Sequence, residues 1–425
     1  MRTRFFYLSI YFITISSLLG VVISGQKENK TIQSSKEDHC YSCHKEIDNL
    51  PKDFSENDIH RHANISCSSC HGGDPTSDDQ EVAMSPSKGF VGAPKHKDIP
   101  KFCGKCHSNI NIMRVFQPRI ATDQVEQYYT SMHGKKLLTG DENVAECASC
   151  HSAHAIFPAK DPRSTVYALN VPGTCNKCHG NSELMKKYNL PSNQLEEYSK
   201  SVHGVALLKM KDLGAPACND CHGNHGAMPP GITSISHVCG TCHVSNMEYF
   251  SSTRMAKAFQ EQDFHGCEQC HGNHTVLKPT DEMIGVGKDS KCVDCHSSGD
   301  EGYTVAKKIY SLLTNLKNQF SLADAKYLEV KKKGMNDIEI GFLLQDAKQA
   351  LIQSRTLIHT FDSTKVGAKT KDGIEISNKA SLLAQKEIDE YYTRRNGFAV
   401  ATLVFLLVVI ALYFKIKDKK KKTEK

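Results

Sequence analysis

The chain has 425 residues, enough for two or three domains, yet only 39% are hydrophobic, 8% are aromatic and none is tryptophan. So little apolar material excludes an interior of that size built from side chains alone. The formal charge of +6 gathers in the tail Lys415–Lys425 and nowhere interleaves with aromatics, so nothing in it points to nucleic acid.

In chain order, Arg2 and Arg4 precede an apolar stretch from Phe5 to Ile23 that ends in small residues at Ser24 and Gly25. That layout is a secretion signal or an uncleaved N-terminal anchor over residues 1–25, and either way the chain beyond it is exported.

From residue 39 to 299 the sequence is organised by cysteine. All 18 cysteines fall into nine Cys-x-x-Cys-His motifs. They are Cys40/Cys43/His44, Cys67/Cys70/His71, Cys103/Cys106/His107, Cys147/Cys150/His151 and Cys175/Cys178/His179, then Cys218/Cys221/His222, Cys239/Cys242/His243, Cys267/Cys270/His271 and Cys292/Cys295/His296. Two thiols three positions apart reach the two vinyl groups of one haem, and the next residue sets an imidazole against its iron. Zinc ribbons and dithiol redox sites also use Cys-x-x-Cys, but they do not require the histidine that follows every pair here. Disulfides within such pairs would leave the histidines unexplained. The expected cofactor is haem c, nine per chain, with the porphyrins filling the missing core.

Twelve histidines lie outside the motifs, enough to supply each iron with a second imidazole. Two patterns single out candidates. Tyr-x4-His-Gly occurs at Tyr128 to His133 and at Tyr198 to His203, and a histidine stands three residues after the proximal one at His151/His154, His222/His225 and His271/His274. A proximal histidine is committed to its own iron, so its neighbour one helical turn on is expected to serve an adjacent haem. His133, His203, His154, His225 and His274 are therefore the expected distal ligands. His60, His62, His96, His237 and His265 rank below them, and His39 and His359 are set aside.

The same patterns expose a repeat of about 50 residues, beginning at Gln127, Glu197 and Glu248. The third copy departs from the others: Tyr249 is followed at the expected spacing by Arg254 and then Met255. Three readings stay open for its haem: ligation by Met255, ligation by His265, or an open iron beneath Arg254 as in an anion-reducing site.

Residues 300–396 carry no cysteine and read as helical. Ala306, Ile309, Leu313, Leu316, Phe320, Ala323, Tyr327 and Val330 form a heptad seam; Ile340, Leu343, Ala347, Ala350, Ser354, Leu357 and Phe361 form a second. Gly334 separates them, which predicts an antiparallel hairpin whose seam serves core packing or a subunit interface. Val366 to Gly373 reads as a turn or linker, and a third helix from about Ile374 runs into the apolar run 398–414. Those 17 residues are at the short end for a membrane span, and the heavier positive cluster, residues 415–425, lies on the C-terminal side. The expected topology is single-pass in an inner membrane, with a cytoplasmic tail and the haem region in the periplasm.

The nine motifs, the Ser-x-His-Gly segments at Ser131 and Ser201 and the Cys-His-Gly-Asn-His segments at Cys221 and Cys270 resemble the multihaem c-type cytochromes. That broad group includes the NapC/NirT quinol dehydrogenases and the hydroxylamine oxidoreductase and nitrite reductase relatives. The resemblance covers about residues 39–296. It implies a mainly α fold with much irregular structure, mostly bis-histidine haem c, and electron relay between a membrane quinol-oxidising or cytochrome b-type complex and periplasmic redox proteins. Two features differ from the group: the clear anchor here is C-terminal, and all nine motifs end in histidine, so the lysine-ligated haem of many nitrite reductases has no counterpart. An electron carrier is the leading expectation. The alternative is an oxidoreductase acting on a small nitrogen or sulfur compound at an open haem near Arg254.

Overall fold

A computed structural model describes residues 38–226 and 235–423. The N-terminal apolar stretch, residues 1–25, lies outside them. The described chain is mainly helical, with long irregular connections and no strand. It forms two compact units. One holds the described residues up to Leu50 together with His60–Ala93; the other holds Pro51–Ile59 and everything from Pro94 onward. The first contains two motifs and the second seven.

Most motifs form or end a short helix: His39–Glu46, Cys67–His71, Ile99–His107, Cys147–His151, Val171–His179, Cys218–His222 and Glu268–His271. One helical turn brings positions i, i+3 and i+4 to one face, so both sulfurs and the imidazole project together. The variable residues inside the motif help to start the turn. Ser69, Ser149 and Asp220 each accept a hydrogen bond from the backbone N–H of the residue before the first cysteine, at 3.2, 3.2 and 2.7 Å. The residue after the histidine stops it in positive φ, at Gly72, Ser152, Gly223 and Gly272, a conformation glycine takes without strain.

Side-chain packing around these helices is thin, consisting of small clusters such as Tyr128, Leu137 and Val144, or Val171, Leu207 and Ala217. That matches a region whose interior is meant for large flat groups.

The C-terminal part is a three-helix bundle of Glu301–Lys332, Ile338–Leu357 and Ser363–Thr423. The first two are the expected hairpin: Ala306, Ile309, Leu313, Leu316, Ala323 and Val330 are buried on one, Ile340, Ala347, Ala350 and Ser354 on the other. The expected linker at 366–373 is instead the start of the third helix. Its small and polar residues look like a loop in sequence, but they permit close helix approach. Val366 is fully buried against Ile309 and Leu313, and Thr370, Ser377, Ala380 and Ala384 continue the stripe. The buried hydroxyls of Ser354 and Ser377 donate to their own helix at Ala350 O and Gly373 O, 2.8 and 2.7 Å away.

The third helix continues without a break through the apolar stretch, which is long and apolar enough to cross a membrane and has none of its residues buried against protein. The two ends of the bundle carry different things. At one end His296 lies against Gly302 and the Asp281 carboxylate receives a bidentate Arg355, with both bonds at 2.8 Å. At the other, Lys333 Nζ donates to Tyr392 Oη at 3.1 Å, and the Asn336 N–H donates to Glu387. From Ser363 to Tyr392 the third helix rises about 45 Å at 1.5 Å per residue, so the bundle is a stalk between the last motifs and the apolar stretch.

Candidate haem sites

Five pairs of histidine rings carry the site geometry. In each, a proximal histidine faces one from outside the motifs: His179 and His133 at 6.1 Å between ring centres, His151 and His225 at 6.1 Å, His243 and His203 at 6.3 Å, His222 and His274 at 5.9 Å, and His271 and His359 at 6.2 Å. An imidazole nitrogen binds a transition metal at about 2.0 Å and lies roughly 1.2 Å from its ring centre, so two imidazoles sharing one metal stand about 6.4 Å apart. The observed spacing matches that of two imidazoles with an iron between them, and it also lies within the roughly 4.5–7 Å of ordinary aromatic pairs. The gap fits the haem.

Eight of these ten rings are also held in a state that suits ligation. Burial pushes the pKa of His133, His151, His179, His203, His222, His225, His271 and His359 below the ordinary value, which keeps the imidazoles neutral. Several rings are turned by a partner on Nδ1, which leaves Nε2 for the metal: Thr356 O at 3.0 Å from His359, Gly92 O at 2.8 Å from His71 and Asn49 O at 3.1 Å from His44. His154 Nδ1 stands 3.0 Å from Asp53 Oδ1. The same carboxylate accepts from Ser152 Oγ and from the N–H groups of Ala153 and His154. Burial alone would raise the Asp53 carboxyl, but these donors outweigh it and hold it well below the usual range.

The pairing follows a rule across the repeats. The Ser-x-His-Gly histidine faces the second motif of its own copy, as His133 faces His179 and His203 faces His243. The histidine three residues after a proximal one faces the first motif of the preceding copy, as His225 does for His151 and His274 for His222. The third copy has no copy after it, and His359, from the turn between the second and third bundle helices, faces His271 instead. Sequence reasoning set His359 aside because it is remote from every motif. Only its place at the end of the bundle, beside Phe361 against Phe250, could have flagged it.

Of the lower-ranked histidines, His265 is exposed with Nδ1 3.4 Å from Glu268, and His237 is exposed. His96 Nδ1 is buried and meets no hydrogen-bond partner, the condition expected of a nitrogen kept for a metal. His39 bonds to Asp78.

Consecutive motifs are neighbours in space. The thiols of Cys103 and Cys147, of Cys175 and Cys218, and of Cys239 and Cys267 lie within hydrogen-bonding reach. Cys150 is close to Cys175 and Cys178, Cys221 to Cys239 and Cys242, and Cys270 to Cys292 and Cys295. The seven motifs of the larger unit thus form one unbroken file, and in the smaller unit Cys40 and Cys67 are close in the same way. No disulfide joins any of the 18 cysteines in this structure. Burial raises Cys67, Cys150 and Cys221 to about 11, whereas the neighbouring thiols of Cys267 and Cys175 lower Cys239 and Cys218; among the described residues no three His, Cys, Asp or Glu side chains converge on a metal-ion site.

Cys43, Cys70, Cys106, Cys242 and Cys295, each the second cysteine of its motif, are exposed, whereas their partners Cys40, Cys67, Cys103, Cys239 and Cys292 are half-buried. Thioether formation asks only that both sulfurs reach one ring, so these five cysteines remain candidates for attachment, at surface edges rather than in a core.

The third copy is clarified by its capping bonds. Ser131 Oγ donates to Tyr128 O at 2.6 Å and accepts from Gly134 N at 3.0 Å; Ser201 repeats this with Tyr198 O and Gly204 N at 2.6 and 2.9 Å. Thr253 Oγ1 does the same with Phe250 O at 2.7 Å and Ala256 N at 3.1 Å. Thr253 therefore stands where Ser131 and Ser201 stand, and Met255, not Arg254, is level with His133 and His203. Arg254 is level with Met132 and Val202 and is exposed, so the register withdraws it from the place over an iron.

No curated protein and no solved structure matches the chain. A family model described as cytochrome c554 and c-prime matches residues 17–72 and 238–317, segments that contain five of the nine motifs, and this likeness to a c-type cytochrome family carries with it covalently bound haem c.

Proposed function

We propose that the chain is a membrane-anchored cytochrome with nine covalent haems that relays electrons between a membrane respiratory system and periplasmic acceptors. The observation that carries this reading is the set of five histidine pairs spaced for six-coordinate iron. The cysteines of each motif would form the thioethers, the motif histidine the proximal bond, and His133, His203, His225, His274 and His359 the distal bonds, with His154, oriented by Asp53, available for a further haem. Iron held between two imidazoles exchanges single electrons and leaves no position for substrate. The file of neighbouring motifs provides the path.

The stalk bears on the partners. With about 45 Å of bundle between His296 and the apolar stretch, quinol within the bilayer is remote from the last two motifs. The reading is therefore of exchange through the periplasmic head of a quinol-oxidising or cytochrome b-type complex on one side and soluble redox proteins on the other.

The test is the intact mass and the electron paramagnetic resonance spectrum of the oxidised protein from a haem-attaching host. Nine haems per chain in a predominantly low-spin state are expected. A mass near that of the bare polypeptide, or a spectrum dominated by high-spin iron that responds to nitrite or hydroxylamine, would refute the proposal.

A further inference from the structure

We infer that Met255 is the distal ligand of the haem on Cys292, Cys295 and His296, which makes it a histidine–methionine haem among bis-histidine neighbours. The inference rests on reading the motifs as haem sites, and it follows from three observations.

The first is register. The hydroxyl at Ser131, Ser201 and Thr253 makes the same pair of hydrogen bonds in each copy, so the chain leaves each cap in the same direction and the second residue after it occupies one equivalent place. That residue is His133, then His203, then Met255. The aromatic residue preceding each cap is also placed alike. Tyr128 and Tyr198 donate to Ala145 O and Pro216 O, just ahead of the first motif of their copies. Phe250, lacking the hydroxyl, packs close to Gly266, directly ahead of Cys267.

The second is the pairing rule. In both earlier copies this residue faces the proximal histidine of the copy's second motif, His179 and His243. In the third copy the second motif is the one that ends in His296.

The third is the surroundings of His296. Its ring lies against the backbone at Gly302, where any Cβ would collide with it, and its Nδ1 lies 3.3 Å from Asp300. Among the described residues no histidine ring faces it, and the remaining segments of the chain contain no histidine. His274 and His359, which the repeat would otherwise offer, are already opposite His222 and His271. Met255 is half-buried, whereas Arg254 beside it is exposed.

A thioether is a neutral, soft donor that favours ferrous over ferric iron and raises the haem's potential relative to a second imidazole. The file of motifs would then end, beside the first bundle helix, in its highest-potential member.

The test compares the holoprotein with Met255→Ala and Met255→His by redox titration and by optical and paramagnetic resonance spectroscopy. In the parent, one ninth of the haem is expected to titrate at higher potential, with the sulfur-to-iron charge-transfer band of a methionine-ligated ferric haem. M255H should move that ninth into the main population and remain low-spin. M255A should yield one high-spin haem per chain. If both variants load haem fully and match the parent in potentials and spin state, Met255 is not a ligand. A parent without covalent haem would overturn the haem reading itself, so the two failures are distinguishable.

Discussion

At the residue scale the histidines differ by what holds them. His359 is the sharpest case, because its pairing depends on a ring 88 positions away in sequence, His271, and on the Thr356 carbonyl that fixes its Nδ1. His359→Ala is expected to turn one low-spin haem into a high-spin one by paramagnetic resonance, whereas His265→Ala, at an exposed ring, should leave the spectrum unchanged. The neutral buried histidines also set a pH dependence. Their pKa values are lowered by folding, so the unfolded chain binds more protons as the pH falls; stability is full above the unfolded histidine value of about 6.5 and declines below it. Asp53 adds a second, more acidic loss. Its folded pKa is depressed, so its contribution is full above the unfolded value of about 3.9 and is lost as pH falls further. Asp53→Asn should therefore narrow the difference in stability between neutral and acidic solution, measured as the acid unfolding midpoint by circular dichroism.

At the element scale, the short motif helices are held by caps and small apolar clusters, while the bundle is held by close packing. Ala380 is fully buried between the three bundle helices, in a cluster with Val330, Ile340 and Leu344. Ala380→Leu inserts methylenes into a filled space and is expected to cost about 1–3 kcal/mol, seen as a lower thermal midpoint for the full chain in detergent. Asp281 joins the loop ahead of the last motif to the bundle, with Arg355 on both oxygens and Lys317 Nζ 3.3 Å away. Asp281→Asn keeps the shape but removes the charge, and should cost roughly 1.5–3 kcal/mol and loosen the His296 region, detectable as faster amide exchange over residues 281–296. The seam residues of the first two helices were legible in sequence because heptad spacing records a helix face. Residues 366–373 were misread because small and polar residues signal a loop in isolation, whereas in contact with Ile309 and Leu313 they permit a close crossing.

At the scale of the whole molecule, the stalk sets what the haems of the last two motifs can meet. In liposomes containing the full chain and a quinol, rapid haem reduction is expected only after a periplasmic-facing redox protein is supplied, with stopped-flow absorbance as the measurement. Fast reduction by quinol alone would contradict the separation of about 45 Å along the third helix.

The attachment motif was legible in the sequence alone: covalent capture of a haem would need two sulfurs and an imidazole within five consecutive residues, so each of the nine copies is local. The helical seams and the apolar run were legible for the same reason, being periodicities along one segment. How deep each cysteine lies was not, since Cys43, Cys70 and Cys106 are exposed whereas Cys150, Cys178 and Cys221, at the same place in their motifs, are half-buried. Distal pairing was hidden too. His133 could be recognised as a candidate, but its partner His179 lies 46 residues on, and His225 reaches back 74 residues to His151. Which ring faces which iron is decided by how one copy stacks on the next and by where the bundle turns, and those are properties of packing rather than of any stretch of chain.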